Sequence, residues 1–349
     1  MQAGEYTTEY RAAMKGCTRE EHAKLTGVIK STHAKLRQDF KTDGKWEPVW
    51  QEHLKDEKMR REYSTAMYSL ATGHWERPGA PESRIMWCKN TCLEFFYNDG
   101  LKKALAKDER RRLFIEEAAK RSRAERGEGS SCHVQFEENF SINKPFSRKD
   151  IDPSTMSACT PLYLLDVGSC YNPFKDFSEF CTVAIDISPA MESVHQCDFV
   201  HLVPSPPLPE SVAMATYIDA LPPTIATLPR NAFHVVVFSL LLEYLPSPAP
   251  RWRCCGTAHA LLRDGGLLVV VTPDSKHVNR NAPQMRAWRA AVESLGFRRW
   301  RYEKLAHLHC MAFRKTGAQR VVRPVACRRR LRGSTVVELR APAGKTLWT

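Results

Sequence analysis

No run in the sequence approaches the ~18 consecutive apolar residues of a membrane-spanning helix. Its first residues, MQAGEYTTEYRAAMKG, lack the apolar centre of a secretory signal. Both absences predict a soluble, intracellular and cytoplasmic chain. The C-x-x-C pairs that build structural zinc sites are also lacking, since Cys88 and Cys92 have three residues between them and Cys254 and Cys255 are adjacent. No metal is expected. Of the twelve cysteines, Cys170, Cys181 and Cys197 fall in or beside apolar runs, where reduced buried thiols are the better account. No internal repeat is found.

What is present is 43% hydrophobic residues in 349, ordinary for a globular chain and about two domains' worth. The net charge of +13 invites a nucleic-acid reading until it is mapped. Residues 316–349 hold eight Lys/Arg against the single acid Glu338, more than half of the excess, so the body is only mildly basic. A basic tail can hold RNA or an anionic membrane, but blocks of like charge are as often solvated and disordered, the state expected here.

From Thr18 to about Arg126 apolar residues recur at three- and four-residue spacing between Lys, Glu and Arg, which predicts an all-helical module over 1–126. Thr18 and Glu21 form a capping-box pattern. A segment near Pro48 carries Trp50, Leu54, Met59, Tyr63, Met67 and Leu70, and another opens near Ser83. Residues 127–152 gather Gly, Ser, Asn and Pro and read as a linker. Over 153–315 the texture becomes short apolar runs: Leu162–Val167, Cys181–Ile187, Phe233–Phe238, Leu267–Thr272 and His309–Phe313. Two helices are expected between the later runs, Arg251–Arg263 closed by Asp264-Gly265-Gly266 and Pro283–Leu295 closed by Gly296. Runs apolar on both faces alternating with helices predict a doubly wound α/β domain.

Ligands in such sheets bind at the carboxyl ends of the strands. The first strand ends in Asp166-Val167-Gly168-Ser169-Cys170, where Gly168 permits close backbone approach. This loop has one glycine where a dinucleotide fingerprint has three, so pyrophosphate is poorly supported. Asp186 ends the second strand 18 residues beyond Gly168, near the ~20-residue interval at which an acid meets ribose hydroxyls. It serves equally as a helix cap or solvated turn. Asp198 follows a short stretch expected to be helical and can accept from an adenine amine; Phe199 beside it is a base contact or plain core. Ser239 ends the Phe233 strand and is a crevice residue or a helix cap.

The order of these features, with DGGLLVVVTP and a late SLGF, is similar to class I, Rossmann-like methyltransferases. The segments LLDVGSCYNPF, AIDISPAMESVHQCDF, FHVVVFSLLLEYLPSPAPRWRCC, ESLGFRRW and HLHCMAFRK resemble the family of S-adenosylmethionine sensors upstream of the TOR kinase complex. VIKSTHAKLR, WQEHL and RIMWCKNTCLEFF extend the likeness into the helical region, so that it spans roughly Thr18 to Lys315, weakest over 120–160. The resemblance implies S-adenosyl-L-methionine as ligand, held by Gly168, Asp186, Asp198, Phe199 and Ser239 with Arg84 reaching over from the helices. It also implies the GATOR and KICSTOR complexes as partners, inhibition of signalling when ligand is scarce, and recruitment to the lysosome surface through those partners. Fungal relatives are ribosomal RNA adenine methyltransferases, which keeps RNA methylation as the alternative. Against it, Ser239-Leu240-Leu241-Leu242 stands where such enzymes carry an amide and an aromatic clamp, although Asp274, His277, Asn279 and Arg280 can position a substrate or serve as turn residues. The Arg-rich end departs from the longer acidic tail of the family.

Overall fold

A computed structural model describes residues 19–75, 83–125, 160–274 and 278–316. Thr18, the expected linker 127–152, His277 and the tail beyond Thr316 lie outside the described residues. The chain divides into two compact units, one of Met1–Cys88 with Pro161–Thr349 and one of Lys89–Thr160. The texture of the sequence changes near residue 126, and the contacts divide the chain at Cys88 and Pro161. Periodicity reports the type of an element, and packing decides which unit it joins.

The first unit opens with α1 (Arg19–Asp43), α2 (Trp46–Lys55) and α3 (Glu57–Leu70), which runs into a π-turn at Ala71–Trp75. The periodic run from Trp50 to Leu70 suggested one helix. It is broken at Asp56, whose ψ of 74° leaves the helical region and whose carboxylate caps α3 by accepting from Met59 N at 3.0 Å. Helix α4 (Arg84–Phe96) starts where Ser83 Oγ accepts from Met86 N at 3.1 Å. Its second half and α5 (Gly100–Glu125) belong to the other unit, in which Cys92 and Phe95 are fully buried and Phe95 meets Phe96 edge to face.

The remaining elements are β1 (Leu162–Val167), β2 (Phe180–Asp186), β3 (His195–Gln196), β4 (Val203–Ser205), α6 (Met214–Asp219), β5 (Thr227–Pro229), β6 (Phe233–Ser239), α7 (Pro248–Leu261), β7 (Leu262–Pro273), α8 (Val278–Ser294), β8 (Phe297–Leu305) and β9 (Leu308–Lys315). Among the described residues seven strands form one sheet in the order β3-β2-β1-β6-β7-β9-β8, parallel except for β9, which runs antiparallel to both neighbours. A parallel sheet that reverses direction at its first strand and ends in an antiparallel hairpin is the class I methyltransferase fold. Leu164, Leu165, Val235 to Phe238 and Leu267 to Val269 are fully buried, as a sheet covered on both faces requires.

Two expectations are corrected, and one strand is new. Helix α7 ends at Leu261, and Asp264-Gly265-Gly266 lies inside β7, where Phe233 pairs with Leu262 but Val235 pairs with Leu267, so the intervening residues loop out as a bulge. The stretch between Asp186 and Asp198 contains turns and the two-residue β3 rather than a helix. Strand β8 was not foreseen, because FRRWRYEKL interleaves charge with its apolar residues at a sheet edge. No helix among the described residues is long and apolar enough to cross a membrane.

Candidate functional site

At the carboxyl ends of β1, β2 and β6 lies a cavity with about 750 Å³ of unfilled space, counting its open mouth. The strand ends contribute Val167, Gly168, Cys170, Asp186 and Ser239, while α2 and α3 contribute Trp50, Arg60, Tyr63, Ser64 and Met67. The two layers therefore share one wall each of a single site, and both belong to the first unit.

The backbone around the cavity is strained where side chains must clear it. Gly168 has φ 72°, and a Cβ there would stand 2.8 Å from Leu241 Cδ1. Cys170 and Leu240 adopt φ of 58° and 60°, a region bulky side chains rarely enter. Such conformations cost of order 1–3 kcal/mol each and persist only where the surroundings over-determine them. Here Cys170 N donates to Asp186 Oδ2 at 3.2 Å, and Leu240 N donates to Val271 O at 3.0 Å.

Asp186 accepts at its other oxygen from Ser188 N at 2.8 Å. Burial of the carboxyl pushes its pKa up to about 6, against the opposing pull of those two N–H groups and the Arg60 cation. The Arg60 guanidinium is fixed by donating to Ile187 O and Leu54 O, each at 2.8 Å, while its Nε is buried without a partner. Arg84 is buried and donates from Nε to Ser239 Oγ at 3.1 Å. Asp198 faces the helices: its Oδ1 accepts from Trp50 Nε1 and Val200 N, each at 3.1 Å, and its Oδ2 pairs with His201 Nδ1 at 2.5 Å. Phe199 lines the cavity and meets Phe238 edge to face.

Of the six residues singled out from sequence, Gly168, Asp186, Phe199 and Ser239 line the cavity together. Arg84 stands behind Ser239, and Asp198 is engaged by Trp50 at the edge. Sequence reasoning missed Trp50, Arg60, Tyr63 and Tyr244. The helical spacing or apolar context of the aromatic residues resembles ordinary core, and nothing in the sequence sets Arg60 apart from the other charges of its helix. Tyr63 packs on Tyr244 with ring centroids 4.7 Å apart, and Tyr244 also bonds to His53 Nε2. Asp274 does not line the cavity. It accepts from Asn281 Nδ2, from His309 Nε2 at 3.2 Å and from Lys304 Nζ at 2.9 Å, and Lys304 holds it below the usual carboxylate range. The side chains of Asn279 and Arg280 fall outside what is described. Among the described residues no group of three or more His, Cys, Asp or Glu is placed to hold a metal ion.

A cavity walled by a carboxylate at the end of β2, a glycine turn after β1 and aromatic rings suits a nucleoside bearing a further polar group. The S-adenosylmethionine sensor upstream of mTORC1 of Danio rerio is 45% identical over 298 residues, 85% of this chain and 71% of its own length. The chain belongs to this family. The sensor of Xenopus laevis matches at 44% over 297 residues, covering 85% of this chain and 70% of its own. No protein-family model matches. Among solved structures, a Burkholderia thailandensis 1,6-didemethyltoxoflavin-N1-methyltransferase with bound S-adenosylhomocysteine aligns over 45% of this chain and 72% of its own, with 16% identity and a TM-score of 0.32. An Archaeoglobus fulgidus SAM dependent methyltransferase aligns over 45% and 88%, with 13% identity and a TM-score of 0.31. For this sensor family member the fold assignment rests on the strand order above.

Proposed function

We propose that the protein binds S-adenosyl-L-methionine in this cavity and reports its occupancy to protein partners, restraining TOR complex signalling when the ligand is scarce. In this reading Asp186 accepts from the ribose hydroxyls, Gly168 lets the backbone approach the ligand, and Phe199 and Asp198 receive the adenine. Arg84 and Ser239 hold the methionyl end, the guanidinium pairing with its carboxylate as a planar fork. The residues present fit such a ligand: an acceptor carboxylate at the end of β2, apolar ring surfaces and the Arg60 cation, whose Nε–H is buried and unused.

The observation that carries the sensor reading is the Trp50–Asp198 bond. Asp198 Oδ1 already accepts from both the indole N–H and Val200 N, so an adenine amine that uses this oxygen competes with them, and ligand and α2 compete for Asp198. A ligand shifts an equilibrium only by its differential affinity for two states, and this competition supplies one. The helical layer then differs between the filled and the empty site, and that difference is what partners such as the GATOR and KICSTOR complexes read. The protein acts in the cytoplasm and is brought to the lysosome surface by those partners.

The test is partner capture by the purified chain with and without S-adenosylmethionine, beside a methylation assay on total RNA. Release of partners on ligand addition with no methylated RNA supports the sensor. Turnover on RNA supports the methyltransferase alternative.

A further inference from the structure

A second concavity lies at the opposite ends of the strands. Arg230, Asn231, Trp252, Arg253, Gly256 and Lys315 line an open groove with about 1010 Å³ of unfilled space, counting the solvent at its mouth. Asn231 precedes β6, and Lys315 ends the antiparallel β9 and donates to the carbonyl of Leu262 at the start of β7. The groove therefore sits at the amino ends of β6 and β7, whereas the ligand cavity sits at the carboxyl ends. Helix α7 serves both, through Cys254 on the cavity side and Trp252, Arg253 and Gly256 on the groove side.

The groove is basic, and its cations are only partly paired within the protein. Asn231 N donates to Ala260 O and so caps the carboxyl end of α7, and Lys315 Nζ is fixed on Asn231 Oδ1 at 2.9 Å with Asp264 at 3.5 Å. Burial, and after it the Lys315 cation, hold His259 at a pKa of about 4, so it adds no charge at neutral pH. Arg230 and Arg253 are exposed, and among the described residues neither side chain has a hydrogen bond or ion pair. Trp252 beside them is 44% exposed. Gly256 leaves open space where a side chain would stand, which keeps the floor of the groove clear.

We infer that this groove is a docking site for an acidic peptide segment of a protein partner. Carboxylates would pair with the two unpaired guanidiniums in fork geometry, and the peptide would cover the Trp252 ring; Trp and Arg are the residues that most often dominate protein interfaces. Charge also argues against the chain's own end as the occupant. The segment that continues from Lys315 holds eight Lys/Arg and one acid. A single-stranded nucleic acid is the weaker fit, since such channels present successive aromatic platforms and this groove presents one tryptophan. The groove's place across the sheet from the cavity also removes it from the path of any substrate presented there. The inference stands independently of what the cavity binds.

The experiment is fluorescence anisotropy of fluorescein-labelled hexaglutamate titrated with the full chain. The comparison is among wild type, the Arg230→Ala/Arg253→Ala double variant, Trp252→Ala, and an Arg329→Ala/Arg330→Ala control in the basic tail. Thermal melts establish that each variant folds, and the substituted groove residues are exposed enough to leave the core intact. The expected result is a loss of about tenfold or more in the double variant, a smaller loss in Trp252→Ala, and a change under about threefold in the tail control. Equal affinity in wild type and the double variant overturns the proposal, as does a loss confined to the tail control. An unlabelled oligouridylate that displaces the peptide from wild type and itself loses affinity in Trp252→Ala overturns it in favour of a nucleic-acid groove.

Discussion

Trp50, on α2, donates its indole N–H to the carboxylate of Asp198, 148 residues later in the chain, at 3.1 Å. The tryptophan is 2% exposed, so the bond is sheltered from water and ties the helical layer to the loop after β3. Trp50→Phe keeps most of the ring and removes the donor. Freed of its competitor, Asp198 should bind S-adenosylmethionine more tightly, by up to about tenfold, since a hydrogen bond to a charged group contributes roughly 1.5–3 kcal/mol and part of that is lost as packing. Isothermal titration of the variant decides it. Weaker binding would make Trp50 a wall of the site and nothing more.

Gly168→Ala places a methyl 2.8 Å from Leu241 Cδ1 in a backbone with φ 72°. The expected cost is about 1–2 kcal/mol of stability. Ligand affinity should fall further than stability does, because the turn after β1 must move to relieve the clash. Denaturant melts and ligand titration on the same preparation separate the two effects.

The acid limb of ligand binding should follow Asp186. Its carboxyl titrates near pH 6 in the free protein, raised by burial and opposed by Arg60 and two backbone N–H groups. The ionised form is the acceptor for ribose hydroxyls, so affinity should be level above about pH 7 and fall as pH drops through 6, approaching tenfold per unit below it. Asp186→Asn should bind weakly at every pH and abolish the slope. A slope that survives the substitution would assign the titration to another group.

Stability should fail in acid for a separate reason. His53 and His33 are held at pKa values of about 4, chiefly by burial. A histidine with a depressed native pKa stays neutral in the fold while the unfolded chain takes a proton near 6.5, so stability is unaffected above that value and declines as pH falls from 6.5 to 4. For His53, which is buried and bonded to Tyr244, the loss is about 3 kcal/mol at the lower end. Melting temperature measured across that window, beside His53→Gln, checks the attribution.

Much of the fold was legible because its strands are apolar on both faces. Leu162–Val167 is bounded in the structure as its apolar run suggests, and β2, β6 and β9 lie within two residues of their runs at either end. Strand β8 was not legible, since Arg298, Arg299 and Arg301 break the apolar pattern and its partner β9 lies later in the chain. Gly265 and Gly266 read as a helix stop because a bulge and a helix end use the same residues. At the site, the strand-end residues were visible through the rule that ligands sit at carboxyl ends. The helical wall was not: Trp50, Tyr63 and Met67 carry spacing that any buried helix face shows, and only folding reveals that the face closes over a cavity.

Calorimetric titration of the full chain with S-adenosylmethionine, wild type beside Asp186→Ala, tests the central claim most directly. One ligand bound per wild-type chain and no detectable heat for a variant with an unchanged circular dichroism spectrum is the result the account predicts. Equal affinity in both would place the ligand elsewhere and contradict it.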